Sequence, residues 1–343
     1  MTITVNASDD PLPAARRGDA GAFERLVAPQ RGPLLVHCYR MLGSLQDAED
    51  ALQETLVRAW RGLPRFGGRS ALGTWLHRIA TNVCLRAIER RPHLTLPVGH
   101  TAAADPAAPL APPPVERLWI EPLPDALAAV GDGAASPEAR YEEREAVELA
   151  FVAALQGLPP RQRAALLMRD VLGYAPAEIA EALGATPAAI HSALQRARAT
   201  AADALPERSQ QAVLRAVGDA AVRDTVARWV RAWDEGDVDG LVAMLVDDAA
   251  YAMPPTPTWY RGRDDIRAFL LRRPFAPGRR WRTRPATFNG QLAFVASHPG
   301  PGGGWAPHAV EVLTLAPDGR VAEVVAFLDP ALVARVAGDQ PPD

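Results

Sequence analysis

The spacing of apolar positions divides the chain into four stretches. From residue 16 to 91 they recur at helical intervals, uninterrupted by proline between Pro33 and Pro64, which predicts a bundle of helices. Residues 92–137 break that pattern with ten prolines, at 92, 97, 106, 109, 112, 113, 114, 122, 124 and 137. The run TAAADPAAPLAPPP is of low complexity and can form neither helix nor ladder, so it predicts an extended, semi-stiff linker. Within it WIEPLPDAL (119–127) carries apolar anchors at Trp119, Ile120 and Leu123, which predict docking on the chain's own domains or on a partner. Helical spacing resumes over 138–206. From 212 to 335, a long helix at about 216–235 and a shorter one precede the alternating runs WRTRPATF, QLAFVAS, HAVEVLTLA and RVAEVVAFL, which predict strands. Turns carrying Asn289-Gly290, the glycine-rich 300–304 and Asp318-Gly319 separate these runs, and Asp-Gly between apolar runs signals a hairpin.

Composition narrows the class. Of 343 residues, 48% are hydrophobic and 22% charged, ordinary values for a globular protein that exclude bulk disorder. No run of about 18 apolar residues predicts a membrane span, and the N-terminus MTITVNASDDPLPAARR lacks the basic start and apolar stretch of a signal peptide. Cys38 and Cys84 give neither a disulfide framework nor a zinc spacing and sit among apolar residues, so both are expected to be buried and structural in a reducing cytoplasm. No metal or cofactor is expected. All 37 basic residues are arginine, consistent with the Ala-, Gly- and Pro-rich usage of a GC-rich genome. Arginine also suits a phosphate-binding surface, being always charged and bidentate.

The formal net charge of −3 hides a local division. Residues 18–57 carry Asp19, Glu24, Asp47, Glu49, Asp50 and Glu54 against Arg25, Arg31 and Arg40, a net −3. Residues 58–91 carry eight arginines against Glu89, a net +7, with Trp60, Phe66 and Trp75 among them. Arginine neutralises phosphate and aromatic rings stack on unpaired bases, so the second half suits nucleic acid. A solvated arginine face is the simpler alternative. Trp75, Arg78, Asn82 and Arg86 follow i, i+3, i+7, i+11, one helix face, with Leu76, Ile79, Ala80 and Val83 opposite.

In APAEIAEALGATPAAIHSALQRARATAADAL (175–205), apolar Ile179, Ala180 and Leu183 precede Gly184, and Ile190, Leu194 and Ala197 follow it. Small Ala180 allows close helix approach, Gly184 supplies a turn at positive φ, and Thr186-Pro187 reads as a cap followed by a first-turn proline. This predicts a helix-turn-helix with 187–202 as recognition helix, in preference to an ordinary helical hairpin. Its outer positions are Ala188, His191, Ser192, Gln195, Arg196 and Arg198. His191, Ser192 and Gln195 can donate to base edges, and the arginines suit phosphates. Residues 138–206 are net −2, much of the acid lying in EEREAVE, away from that helix.

The order of these segments resembles a known family. DAEDALQETLVRAWRGLPRFGGRSALGTWLHRIATNVCLRAIERR (47–91) resembles region 2 of sigma-70-family factors of the extracytoplasmic-function (ECF) group, and LPPRQRAALLMRDVLGYAPAEIAEALGATPAAIHSALQRARA (158–199) resembles their region 4. Region 2 followed directly by region 4 is the ECF arrangement. The resemblance implies two all-α sigma domains, a region 2 helical bundle at 16–91 and a region 4 helix-turn-helix at 138–206, joined by the linker at 92–137. It implies binding to core RNA polymerase, through the β′ clamp helices and β flap, and to promoter DNA. By motif, Asp47, Asp50, Gln53 and Glu54 fall at polymerase contacts. Arg69, Ser70, Trp75, Arg78, Asn82 and Arg86 fall at contacts with the minus-10 element. Arg161, Arg163, Thr186 and the outer recognition-helix positions fall at contacts with the minus-35 element. The linker is far longer than the family's minimal connection; such linkers run through the polymerase toward its active-site and RNA-exit channels.

The C-terminal stretch, carried by WVRAWDEGDVDGLVAMLVDDAAYAMPPTPTWYRGRDDIRAFL (229–270) and the later strands, resembles the SnoaL-like cone related to nuclear transport factor 2 and ketosteroid isomerase. This implies an α+β fold over 212–335, a curved mixed sheet wrapped by helices around a pocket. Trp229, Trp233, Tyr251, Met253, Trp259, Tyr260 and His308 are the expected lining, although most such aromatics would serve equally as core. Asp234, Asp237, Asp239, Asp247 and Asp248 fall at helix ends or loops, so no catalytic base is assigned. Some ECF subgroups carry such a domain, which there acts in place of or beside an anti-sigma protein. Here it is expected to regulate activity by packing on the sigma regions or the linker. The DGGGK motif of some of those subgroups is replaced by PGPGGGW (299–305), so that mechanism does not transfer. A ligand-responsive helix-turn-helix repressor is the alternative, disfavoured by the acidic DAED helix and the arginine–Trp face. A small-molecule enzyme with a DNA-binding appendage would require a convergent buried carboxylate and polar partner in the cone.

Overall fold

A computed structural model describes residues 10–68, 70–89, 93–98, 100–116, 118–128, 144–301 and 303–337. These fall into two compact units. One joins the N-terminal helices with residues 158–203, and the other joins the linker and residues 144–157 with everything from 204 onward.

The helical unit opens with α1 (Leu12–Arg16), α2 (Ala20–Val27), α3 (Arg31–Leu42), α4 (Leu45–Gly62) and α5 (Leu72–Ile88). Side-chain oxygens satisfy orphan amides at the helix starts: Asp19 accepts from the Ala22 N–H at 2.8 Å and Ser44 from the Asp47 N–H at 3.2 Å. The helices bury Leu34, Tyr39, Met41, Leu52, Leu56, Leu76 and Val83 against one another. Cys38 and Cys84 are buried free thiols, and burial pushes the Cys84 thiol well above its ordinary range. The linker and helix α6 (Leu149–Gln156), both of the second unit, interrupt this unit, which resumes at Leu158.

There α7 (Pro160–Leu166) leads through one π-helical turn (Leu167–Val171) to α8 (Pro176–Leu183) and α9 (Pro187–Ala204). Gly184 ends α8 at φ 61°, and Thr186 Oγ1 accepts from the Ala189 N–H at 3.2 Å at the start of α9. Ile179, Ala180 and Leu183 of α8 and Ile190, Leu194 and Ala197 of α9 are buried, which gives the helix-turn-helix read from the sequence.

The second unit is built on a six-stranded sheet in the order β2-β1-β6-β5-β4-β3. Its strands are β1 (Leu245–Ala252), β2 (Trp259–Arg261), β3 (Arg282–Phe288), β4 (Gln291–Pro299), β5 (Trp305–Leu315) and β6 (Val321–Phe327). The β1–β6 pair is parallel and the remaining pairs antiparallel, so the sheet is mixed. Register shifts in the β1–β6, β4–β5 and β5–β6 pairings supply the bulges that bend a sheet. Helices α11 (Asp219–Glu235) and α12 (Arg263–Arg272) pack against it and close a core around Trp229, Trp233, Ile266, Phe269, Leu270 and Phe294.

The proline-rich segment docks on this sheet unit. Trp119, Ile120 and Leu123 are buried, and Trp119 Nε1 donates to the Pro255 carbonyl at 2.7 Å. Beside strand β2, the Ala104 N–H donates to the Trp259 carbonyl at 2.8 Å and Trp259 Nε1 donates to the Thr101 carbonyl at 2.9 Å. The linker thus covers backbone of an edge strand that would otherwise offer unpaired groups.

The β3–β4 turn is the main clip. Asn289 and Gly290 both have positive φ, 54° and 67°, the conformation of the tight hairpin that Asn-Gly predicts. Asn289 is fully buried; its Oδ1 accepts from the Leu123 N–H, its own N–H donates to the Leu123 carbonyl, and its Nδ2 donates to the Val147 carbonyl. A Cβ on Gly290 would lie 2.9 Å from Arg144 Cβ, so the close approach of that segment requires glycine. The next helix in sequence, α10 (Gln210–Val217), starts on Glu148, whose carboxylate accepts the Gln210 and Gln211 N–H groups at 3.0 and 2.8 Å.

Candidate nucleic-acid interface and C-terminal cavity

On α4, Asp50, Gln53 and Glu54 are exposed at i, i+3, i+4, and Val57 extends the same row at 42% exposure. Glu54 also pairs with Arg58 at 2.6 Å. Asp47, expected on that surface, is buried at the start of the helix. The row is therefore acidic with one apolar member, a surface that suits a basic protein partner and repels a polyanion.

The polar face of α5 is real but partly occupied. Arg86 and Asn82 are exposed, and Asn82 Nδ2 donates to the Arg78 carbonyl at 2.9 Å, a bond within its own helix. Arg78 forms a 3.0 Å ion pair with Glu181 of α8, and Thr74 hydrogen-bonds Tyr174. Trp75 is half-buried, its ring 4.9 Å from that of Phe66 in a cluster with Leu63 and Leu72. Ser70 is half-buried at the preceding bend, and Arg69 lies outside the described residues.

Helix α9 presents the opposite situation. Thr186, Ala188, His191, Ser192, Gln195, Arg196 and Arg198 are all exposed, with the apolar stripe turned inward. Arg198 is held by both carboxylate oxygens of Asp170, at 2.5 and 3.0 Å. Arg161 is exposed on α7, but Arg163 two residues on corrects the sequence expectation of a phosphate contact. Arg163 is 1% exposed, its guanidinium donating to the Met41 carbonyl of α3 and to the Leu158 carbonyl. Burial lowers its pKa to about 10, so it remains a cation at neutral pH. Its position two residues from Arg161, about 200° around the helix, turns it inward, where the Met41 and Leu158 carbonyls are its acceptors in place of phosphate.

The sheet unit encloses a cavity of about 200 Å³. Of the expected lining residues, Trp233, Tyr251, Met253 and His308 border it. Trp229 stands behind the wall, Tyr260 stacks on Phe269 at 4.7 Å, and Trp259 belongs to a separate cluster with Ala250, Ala252 and Val98. The sequence reading missed the group at the centre. Glu311 of β5 is 2% exposed, accepting from Tyr251 Oη at 2.8 Å and from Trp229 Nε1 at 3.2 Å. Burial pushes its carboxyl up to about 7 against the pull of both donors, and burial beside Glu311 pushes the Tyr251 phenol well above 10. His308 is lowered by burial and by its neighbours His298 and Arg279. The signal was present in HAVEVLTLA: Glu311 shares the inward register of Ala309, Leu313 and Leu315, where a charge is out of place.

No group of three or more metal-ligating side chains occurs among the described residues, and none of their helices is long and apolar enough to cross a membrane.

Comparison with known proteins agrees with these features. Residues 26–92 match the Sigma-70 region 2 family, 148–200 the Sigma-70 region 4 family, and 226–324 the SnoaL-like domain family. The chain is 44% identical over 323 residues to the ECF RNA polymerase sigma factor SigG of Mycobacterium tuberculosis, covering 92% of this chain and 83% of that protein. It is 27% identical over 294 residues to SigJ of the same species, covering 82% of each chain. The crystal structure of that extracytoplasmic function sigma factor SigJ shares the fold, with a TM-score of 0.54 and 24% identity over 91% of this chain and 97% of that one. An acidic helix row, an arginine-rich stretch, a helix-turn-helix and a SnoaL-like sheet, in this order, together with these likenesses, show that the chain belongs to the ECF family of RNA polymerase sigma factors.

Proposed function

We propose that this chain binds core RNA polymerase through the α4 row, reads the minus-35 element with α9 and captures the minus-10 element on the α5 face. The observation that carries the reading is α9. Its base-reading side chains His191, Ser192 and Gln195 and its cation Arg196 all stand in solvent on one face of a helix-turn-helix. Two hydrogen-bonding groups and an amide along one face are what direct readout in a major groove requires. Asp50, Gln53 and Glu54 supply the polymerase contact, and Arg69, Ser70, Trp75, Arg78, Asn82 and Arg86 the minus-10 contacts. In the conformation described, Glu181 and Tyr174 occupy part of that α5 face, so DNA must displace the Arg78–Glu181 pair.

The sheet unit regulates by holding the linker. The chain leaves the helical unit at residue 91 and re-enters it at 158, and both ends of the intervening segment are fastened on the sheet through Asn289, Pro255, Trp259 and Gln291. A linker held there must be released before it can thread through the polymerase. The favoured site of action is the cytoplasm, where polymerase resides.

Run-off transcription tests the reading. Purified core polymerase is expected to give promoter-specific transcripts only when the full-length protein is added, and His191→Ala with Gln195→Ala should lose them while leaving co-purification with core intact. Absence of any specific transcript contradicts the reading. Deleting 212–343 would strip the docking surface of the linker as well as the sheet, so Asn289→Ala in the full-length chain is the sharper probe of regulation.

A further inference from the structure

The cavity of the sheet unit has a polarity that goes beyond sequestering the linker. At its floor sit the Glu311 carboxyl and the Tyr251 hydroxyl. Its walls are flat and aromatic: Trp233, Trp281 and Phe269, with Trp281 meeting Trp233 edge-on at 5.5 Å. Its rim carries Arg273 and Arg279, both exposed and neither in an ion pair among the described residues. One wall group is left unpartnered: Trp233 is 3% exposed, and its buried Nε1 has no hydrogen-bond acceptor. A buried donor without an acceptor is costly and unusual in a folded protein.

We propose that this cavity is a binding site for a small, flat, apolar molecule with an anionic group at one end. The ring system lies between Trp233, Trp281 and Phe269. The anion meets Arg273 and Arg279 at the rim, and the apolar end lies toward the Tyr251–Glu311 pair. The arrangement follows the general form of ligand sites, an apolar cleft with few polar groups at set points. It also selects by charge, because the rim cations attract an anion, and a cation there would face two uncompensated guanidinium groups. Aromatic carboxylates are the simplest members of this class.

Leu110 of the linker forms part of the cavity wall, together with Leu328 just beyond β6. The neighbouring linker backbone is anchored on β2, where Ala104 and Ala111 donate to Trp259 and Thr258. A molecule filling the cavity packs against Leu110 and so acts on the segment that the sheet unit holds.

Isothermal titration of the full-length protein with 2-naphthoate, 2-naphthalenemethanol and 2-naphthylmethylammonium tests this directly. The three share one ring system and differ in charge. The expected result is saturable one-to-one binding with the carboxylate at least tenfold tighter than the alcohol, and the ammonium weakest. The exposed pair Arg273→Gln with Arg279→Gln should erase the advantage of the carboxylate while the alcohol still binds. Ala309→Phe should block all three; its circular dichroism spectrum and melting temperature serve to verify folding, and Leu110→Trp provides a second blocking variant at the mouth. Bound naphthoate should also slow hydrogen exchange at the Ala104 and Ala111 amides. The proposal is overturned by no saturable binding at millimolar ligand, by equal affinities for carboxylate and ammonium, or by binding that survives in folded blocking variants. None of these outcomes bears on promoter-specific transcription.

Discussion

Each unit buries a charged side chain almost completely, Arg163 in the helices and Glu311 in the sheet, and they use it differently. Arg163 is held by main-chain carbonyls of Met41 and Leu158, partners that fix helix α7 against α3. Glu311 is held by side chains, Tyr251 and Trp229, at the wall of a cavity. The first arrangement joins pieces of backbone. The second keeps a polar group available to something that enters. The helical unit places its proposed ligand-reading groups outside, on α4, α5 and α9, and uses its interior for support. The sheet unit gives its outer edge to the linker and keeps its chemistry within.

Removing each charge should separate these roles, and Arg163→Ala carries the largest expected effect. Loss of a buried cation, its hydrogen bonds and its packing is expected to cost about 3 kcal/mol, against under about 0.5 kcal/mol for exposed Arg161→Ala. Urea denaturation of the two variants checks this. A parent-like Arg163→Ala would return that residue to the role of a surface phosphate contact.

Glu311 should show itself through pH instead. Its folded-state pKa, about 7, lies above the ordinary carboxyl value, so the native state binds the proton more tightly than the unfolded state does. Its contribution to stability is thus greatest below the unfolded pKa and declines as pH rises through about 4.5 to 7, by at most about 3 kcal/mol. Glu148, also raised to about 7 by burial, adds a slope of the same sign. Melting temperatures from pH 5 to 8 should fall less steeply in Glu311→Gln than in the parent. An unchanged slope would mean that Glu311 is ionised throughout and that the cavity floor is permanently anionic.

Two smaller effects probe the surfaces. Asn289→Ala removes both side-chain bonds to the linker side, to Leu123 and Val147, worth about 2 kcal/mol together. Exchange of the Leu123 amide should accelerate by roughly 30-fold on that figure. Protection equal to the parent would show that the apolar anchors alone hold the segment. Glu181→Gln breaks an exposed pair and should change stability by less than about 1 kcal/mol. It should nevertheless strengthen binding of a minus-10 single strand by freeing Arg78, measured by fluorescence anisotropy in the full-length protein. Unchanged affinity would mean that Glu181 does not compete with DNA for Arg78.

What the sequence showed and what it hid follow the same division. Helix α9, the Asn289-Gly290 hairpin, the buried cysteines and the anchors Trp119, Ile120 and Leu123 were legible because each is a local pattern of spacing or turn chemistry. The inward turn of Arg163 was not, since a motif names a residue but not which acceptor it meets across 122 positions of chain. Glu311 lies between Val310 and Val312, which are buried on the opposite face of β5, so both faces of the strand are buried and the usual inside–outside alternation does not single it out. The resemblance implies a linker that threads the polymerase; its docking on the sheet unit rests on the long-range contacts of Asn289, Trp259 and Pro255, which no local pattern announces.

The proposed division of labour between α9 and α5 can be tested by one footprint. Asn82 is exposed, and its only side-chain bond described is to its own helix, so Asn82→Ala leaves the fold intact. Permanganate reactivity and nuclease protection would be mapped on one promoter with holoenzyme carrying the parent or Asn82→Ala. The account predicts that the variant protects the minus-35 element as the parent does while thymines of the minus-10 element lose reactivity. Equal melting by both proteins, or loss of minus-35 protection together with melting, would contradict it.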